Sequence, residues 1–135
     1  MHTTVDVPMK KLRFMYWFTI ILPGVTGLTV IFYPKLLTML FQIESQDHFL
    51  FGVTGSMWLS FAVLSIFALK SPIKFLPLLL FQFSYKVIWL STVVLPLALR
   101  GQLSLFDWIF AFVMMTYVIG DILVIPFSRL IETSE

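Results

Sequence analysis

The chain has 135 residues, of which 59% are apolar and only 12% are charged. Soluble globular proteins carry about 25% charged residues, so this chain has too little charge to cover a surface exposed to water. Its many aromatic residues exclude intrinsic disorder, and a net charge of +2 does not indicate nucleic-acid binding. The lack of cysteine excludes thiolate metal sites, iron–sulfur clusters and disulfide exchange. The composition therefore predicts an integral membrane protein.

Four long apolar runs follow one another along the chain, and they predict membrane spans at about 14–33, 49–69, 75–99 and 106–127. Each run has the roughly 20 residues that a helix needs to cross about 30 Å of hydrocarbon. The loops between the later runs are short, which makes consecutive helices antiparallel neighbours. The predicted fold is all-α: a four-helix transmembrane bundle in a single integral membrane domain, 1–135.

The charges outside the runs predict how the chain crosses the membrane. Six Lys and Arg residues lie near one face and two near the other: Lys10, Lys11, Arg13, Lys70, Lys74 and Arg129 against Lys35 and Arg100. Positive charge favours the cytoplasmic side, so we expect both termini to be cytoplasmic. The first run is longer than the apolar region of a signal peptide and has no small-residue cleavage site, so we interpret it as a retained helix.

A short amphipathic segment follows the first span. Tyr33-Pro34 should end that span because proline lacks a backbone donor. The next residues, 35–43, are apolar with Lys35, Thr38 and Gln42 among them. We predict a short interfacial amphipathic helix, with a re-entrant segment packed on the bundle as the alternative.

Small residues in the second span predict a close helix contact. Gly52, Ser56 and Ser60 recur every four residues, with Gly55 beside them, a pattern that allows backbones to approach in lipid. We expect this stripe to pack within the bundle, with a dimer interface as the alternative.

Aromatic residues fall into two groups by depth. Tyr16, Trp17, Tyr33 and Trp108 lie near span ends and fit interfacial aromatic belts. Trp58 and Trp89 lie nearer the middle of their spans, where an indole N–H needs a partner. They form either ordinary core or the wall of a ligand pocket.

Lys86 and Asp121 are the two charges placed deep within the spans. A charge at the bilayer centre costs roughly 2.5–3.5 kcal/mol on insertion scales, so such residues are retained for a reason. Gln82 precedes Lys86 by one helical turn, and Tyr117 precedes Asp121 by one turn. On adjacent antiparallel helices the face with Gln82, Lys86 and Trp89 can meet the face with Tyr117 and Asp121.

This arrangement predicts an intramembrane ion pair between Lys86 and Asp121. The pair is either a structural salt bridge or part of a polar ligand site or proton relay. A third alternative is that Lys86 faces another subunit or lipid headgroups. The predicted ligand-binding residues are Lys86, Asp121, Gln82, Tyr117, Trp89 and Trp58, with no catalytic residue.

Glu44, Asp47 and His48 are the other polar group considered, as a metal site at the outer loop. One histidine and two acids within five residues are commonplace, so we interpret them as a solvated loop and predict no metal site.

The chain resembles the DoxX-like superfamily of small bacterial membrane proteins. The resemblance rests on Tyr33-Pro34-Lys35-Leu36-Leu37, the amphipathic segment after it and the glycine-bearing second span, and it covers roughly residues 10–128. It implies a four-helix bundle in the inner (plasma) membrane of a bacterium, often an accessory partner of a membrane redox or transport system. It carries over no catalytic residue, and residues 82–90 match no functional motif.

Three functions remain open at this stage. The first is a binding or accessory protein for an amphipathic ligand, such as a quinone or lipid-like compound, centred on Lys86 and Asp121. The second is a small oligomeric transporter or channel that uses Lys86–Asp121 as a proton or anion element. The third, a membrane enzyme, has the least support because no nucleophile–base pair is present. The implied partners are the lipid bilayer, a lipophilic small molecule, and a second copy or another membrane protein; no cofactor is implied.

Overall fold

The structure, a computed structural model, describes residues 7–41 and 47–131. All the regular elements in these two ranges are helical, in this order: α1 (Met9–Phe32), α2 (Pro34–Phe41), α3 (His48–Ala68), α4 (Leu76–Trp89), a π-helical turn (Leu90–Val94), α5 (Leu95–Leu99), α6 (Leu105–Val124) and α7 (Phe127–Ile131).

Four helices within the described ranges are long and apolar enough to cross a membrane. They are α1, α3, the continuous helix Leu76–Leu99 and α6, with 24, 21, 24 and 20 residues. At 1.5 Å per residue these lengths correspond to about 30–36 Å. The predicted all-α four-helix bundle is confirmed.

The four spans form a closed ring in which each helix contacts the next along the chain, and α6 returns to α1. Short loops cause this antiparallel order, because they leave no length for a crossover. We call the end where α1 begins the inner end and the end where α2 lies the outer end, following the predicted topology.

The closest contact in the ring is between α1 and α3, and it is made by glycines. A Cβ added at Gly27 would lie 2.7 Å from the backbone nitrogen of Leu59 and 2.8 Å from the carbonyl oxygen of Gly55. A Cβ at Gly55 would lie 2.6 Å from Val30 Cγ1. Only hydrogen at both positions permits this approach.

The prediction that Gly52, Ser56 and Ser60 pack closely within the bundle is therefore wrong, because the close helix contact is made by a different face of α3. Nothing lies within 4 Å of a Cβ built on Gly52, and Ser56 and Ser60 are exposed. Because α3 is apolar on all sides, its sequence gives little indication of which face turns inward. The inward face carries Gly55, which is three residues from the stripe's first member.

Several helices begin or end at the residues that the sequence marks as boundaries. Pro34 forces α1 to end, and the amide of Tyr33 closes its last turn on Thr29. The predicted short helix after the first span is present as α2, which packs on the bundle through Leu37 and Phe41. Ser104 and Asp107 form a capping box at the start of α6.

The third span is not a uniform α-helix. It contains a π-helical turn, Leu90–Val94, just before Pro96. No residue from the π-turn to the end of α5 is buried. The extra residue in a π-turn rotates the helix that follows, so the outer part of this span packs less closely than α4.

Apolar packing closes the inner end of the bundle. Tyr16 is fully buried there, and its hydroxyl donates to the carbonyl of Pro72 at 2.7 Å. Its assignment to an interfacial belt is therefore wrong, whereas Trp17, Tyr33 and Trp108 are exposed as a belt requires. The surrounding inner core consists of Leu12, Met15, Tyr16, Ala68, Leu76, Leu79, Tyr117, Val124 and Ile125.

Candidate functional site

The two charges deep within the spans are both fully buried. Lys86 lies on α4 and Asp121 on α6, and the solvent exposure of each side chain is 0%. Gln82 and Tyr117, one turn away from them, are also fully buried. The structure thus brings together four of the predicted site residues on two neighbouring helices.

The predicted direct ion pair between Lys86 and Asp121 does not form. No nitrogen–oxygen distance between them is 4.0 Å or less. Lys86 Nζ lies instead 4.1 Å from the ring centroid of Tyr117 and 5.0 Å from that of Tyr85. The aromatic faces attract the ammonium group, and at this separation they compete with the carboxylate for it.

Further contacts position these side chains. The Tyr117 hydroxyl donates to the carbonyl of Phe18 at 2.8 Å, and the two rings stack with centroids 4.1 Å apart. The Thr19 hydroxyl, also on α1, donates to the carbonyl of Met15 at 2.8 Å and lies 3.3 Å from the Gln82 side-chain oxygen. We call Thr19, Gln82, Lys86, Tyr117 and Asp121 the polar cluster.

Several buried polar atoms in this region have no hydrogen-bond partner among the described residues. They are Lys86 Nζ, both carboxylate oxygens of Asp121, Gln82 Nε2, Ser65 Oγ and the Tyr85 hydroxyl. A buried polar group without a partner costs about 1–3 kcal/mol, and more if it is charged. Natural proteins rarely leave so many such atoms in one region, and they do so chiefly where a ligand or water binds.

A cavity of about 440 Å³ lies on the outer side of the polar cluster. All four spans and α2 contribute to its wall, so we call it the outer cavity. Its lining is mainly apolar and aromatic: Thr26, Leu37, Phe41, Phe51, Thr54, Met57, Trp58, Tyr85, Trp89, Asp107, Phe110 and Met114. Ligand sites in proteins have volumes of about 300–1,000 Å³ and linings of this kind.

The two mid-membrane tryptophans belong to this cavity and not to the polar cluster. Trp58 and Trp89 both contact Phe110, with ring centroids 5.9 and 5.7 Å away. Of the six predicted site residues, these two line the outer cavity, and the other four form part of the polar cluster. Tyr85 lies between the two regions, because its ring lines the cavity and faces Lys86 Nζ.

Sequence reasoning missed three residues here: Thr19, Ser65 and Tyr85. Thr19 and Ser65 are fully buried. Each lies one turn from a buried small or aromatic residue of its helix, which is a weak indication that it faces inward. Hydroxyl residues are so common in spans, however, that this signal does not single them out.

The polar loop before α3 serves the helix. The Asp47 carboxylate accepts a hydrogen bond from the Phe49 amide at 3.0 Å, as an N-terminal cap does. Glu44, the third residue considered with Asp47 and His48, lies outside the described residues. In the part of the chain that is described, no three His, Cys, Asp or Glu side chains group as metal ligands would.

Comparison with known proteins does not identify the site, so its interpretation rests on its geometry. No protein-family model, no curated protein and no solved structure matches the chain. The chain is a small membrane protein with four apolar helices.

Proposed function

We propose that this membrane protein binds a lipophilic small molecule in the outer cavity. The observation that carries the proposal is an apolar space of about 440 Å³ inside a transmembrane bundle, walled by Trp58, Trp89 and Phe110. Rigid aromatic walls bury large ligand areas at little cost in side-chain entropy. Thr26, Thr54 and Asp107 add a few polar groups to this apolar lining, so an amphipathic ligand suits it.

Access from the bilayer supports the same proposal. The π-turn and α5, which form the outer part of the third span, bury no side chain. A shallow apolar groove of about 220 Å³ runs between α3 and α4 and shares Met57 with the outer cavity. A molecule dissolved in lipid can therefore approach the cavity between these helices without crossing water.

The alternative is a small oligomeric transporter or channel that moves protons or anions through Lys86 and Asp121. Two charges buried in the spans favour it. The inner core argues against it in this conformation, because apolar side chains such as Leu12, Leu79 and Val124 close the inner end. Binding therefore ranks above transport.

The setting of the binding protein is part of the proposal. The charge distribution supports cytoplasmic termini, and the resemblance described above supports a bacterial inner membrane. We also propose membership of the DoxX-like superfamily, and with it an accessory role beside a membrane redox or transport system. The proline boundary between α1 and α2 supports this membership.

Tryptophan quenching tests the proposal. Trp17 and Trp108 are 54% and 52% exposed, so Trp17→Phe/Trp108→Phe leaves Trp58 and Trp89 as reporters. Bromine quenches tryptophan on contact. In nanodiscs, 4-(6-bromohexyl)anisole should quench this variant saturably, because the number of cavities is limited.

A matched pair of substitutions on α3 provides the control. Thr54→Phe fills the outer cavity, whereas Ser56→Phe adds the same bulk on an exposed face. We expect Thr54→Phe to weaken saturable quenching at least tenfold and Ser56→Phe to leave it unchanged. Quenching that rises linearly with probe concentration and is equal in the two variants would contradict the proposal.

A further inference from the structure

The described lining of the outer cavity combines a single carboxylate with many aromatic rings. Asp107 is the one acidic residue in it, and it contains no Lys or Arg. The two basic residues of the outer end, Lys35 and Arg100, are exposed and do not line the cavity. Six of the twelve described lining residues are aromatic: Phe41, Phe51, Trp58, Tyr85, Trp89 and Phe110.

Helix α6 places the carboxylate beside the aromatic rings. Asp107, Phe110 and Met114 are spaced three and four residues apart, so they share one face of α6, and all three line the cavity. The ring centroid of Phe110 lies 5.6 Å from that of Phe41 and 5.7 Å from that of Trp89. Both rings are almost perpendicular to Phe110, at 88° and 89°. The carboxylate therefore lies one helical turn from a group of rings that face in different directions.

The structural role of Asp107 leaves part of its carboxylate free to bind. Its Oδ2 accepts a hydrogen bond from the Ser104 backbone amide at 2.8 Å, within the capping box of α6. Among the described residues Oδ1 accepts no hydrogen bond, and it is not one of the sealed polar atoms of the polar cluster region. A carboxylate can accept about four hydrogen bonds, so the cap does not exhaust its capacity.

The depth of Asp107 suits the charged head of an amphipathic molecule. Asp107 lies in the first turn of α6, at the outer end of that span. A charged head at this depth avoids most of the cost of reaching the bilayer centre. Lys86 Nζ lies on the inner side of the cavity, 5.0 Å from the Tyr85 ring centroid, and repels a cation from that end. A cationic head therefore belongs at the outer end, with its apolar body deeper in the bundle.

Charge and aromatic faces together favour one class of ligand. An anionic head would be repelled by Asp107, and a neutral head would leave the carboxylate without an opposite charge. The faces of Trp, Tyr and Phe attract cations, and proteins recognise quaternary ammonium groups with several such rings. A cationic head is therefore the one that both parts of the lining attract.

We propose that the outer cavity selects lipophilic cations, such as a quaternary ammonium group attached to an apolar chain. The cation lies between the Asp107 carboxylate and the aromatic rings, and the chain fills the rest of the cavity. This inference rests on the proposed binding function and adds the charge class of the ligand. The headgroup of a choline lipid has the same ammonium chemistry, but its phosphate would be repelled by Asp107.

Two probes of the same shape test the proposal: 4-(6-bromohexyl)-N,N,N-trimethylanilinium and 1-(6-bromohexyl)-4-tert-butylbenzene. They differ in charge, because nitrogen in one replaces carbon in the other. Their affinities are measured by quenching in the Trp17→Phe/Trp108→Phe background, in nanodiscs of the uncharged lipid digalactosyldiacylglycerol, and corrected for each probe's partition into the lipid. The cation should bind at least tenfold more tightly.

The outcomes separate this inference from the proposed function. Saturable binding of both probes with equal affinity would leave the binding function standing and overturn the selection for cations. If neither probe binds saturably, the proposed function itself fails. Phosphatidylcholine added to the nanodiscs should not displace the cationic probe; displacement would make a lipid headgroup the occupant and overturn the proposal.

A matched pair of variants tests the role of the carboxylate. Asp107→Asn removes the charge and keeps an oxygen that can accept from the Ser104 amide. Asp47→Asn makes the same change at the exposed cap of α3, which does not line the cavity. The preference for the cation should fall below threefold in Asp107→Asn and stay at least tenfold in Asp47→Asn. A full preference in Asp107→Asn, or an equal loss in the two variants, would overturn the assignment to Asp107.

Discussion

Replacing Gly27 by alanine should push α1 and α3 slightly apart and destabilise the protein. The new Cβ would meet backbone atoms of α3 at 2.7 and 2.8 Å, and backbone cannot rotate away as a side chain can. Restoring the ordinary 3.4 Å contact from 2.7 Å requires the helices to part by about 0.7 Å. Overpacking of this kind costs about 1–3 kcal/mol. The free energy of unfolding should therefore decrease by about that amount.

Two other glycines provide graded controls. A Cβ at Gly120 would lie 2.6 Å from Met15 Sδ. Because the Met15 side chain is flexible and can move away, Gly120→Ala should cost less stability than Gly27→Ala. A Cβ at Gly52 meets nothing within 4 Å, and alanine favours helix over glycine by up to about 1 kcal/mol. Gly52→Ala should therefore be neutral or stabilising.

Equilibrium unfolding in mixed micelles, with increasing SDS, measures all three variants. The expected order of stability is Gly52→Ala, then Gly120→Ala, then Gly27→Ala. Equal stability of Gly27→Ala and Gly52→Ala would refute the α1–α3 packing described above.

Three further predictions concern charge, topology and the inner end. Lys86 and Asp121 are not in direct contact, so Lys86→Met or Asp121→Leu alone should destabilise the protein by less than the about 3–5 kcal/mol that breaking a direct buried ion pair costs; a loss of that full size would contradict this. Because the chain lacks cysteine, Gln102→Cys should react with an impermeant maleimide on intact cells while Ser71→Cys should not, and the reverse pattern would invert the topology. Tyr16→Phe removes the hydrogen bond to the Pro72 carbonyl and should cost about 1 kcal/mol in thermal unfolding, so an unchanged melting temperature would count against that bond.

The parts of the structure that sequence predicts are those set by local rules. The end of α1 follows from the missing donor of Pro34. The shared face of Gln82 and Lys86, and that of Tyr117 and Asp121, follow from helical periodicity. Their common depth follows from the span centres, and Lys86 does contact the Tyr117 ring.

What sequence could not predict depends on helix rotation and side-chain direction. A uniformly apolar helix such as α3 has no polar side to orient it, so Gly55 could not be chosen over Gly52. Lys86 has a long flexible stem, and two aromatic rings compete with Asp121 for its ammonium group. The π-turn before Pro96 is likewise set by no local pattern that fixes its position.

The most direct test of ligand binding is the position of bromine in crystals of the protein grown with 4-(6-bromohexyl)phenol. Anomalous scattering locates bromine independently of the protein map. The account predicts an anomalous peak inside the outer cavity, between the Trp58–Phe110–Trp89 wall and α2. Anomalous peaks confined to the lipid-facing surface of the bundle would contradict it.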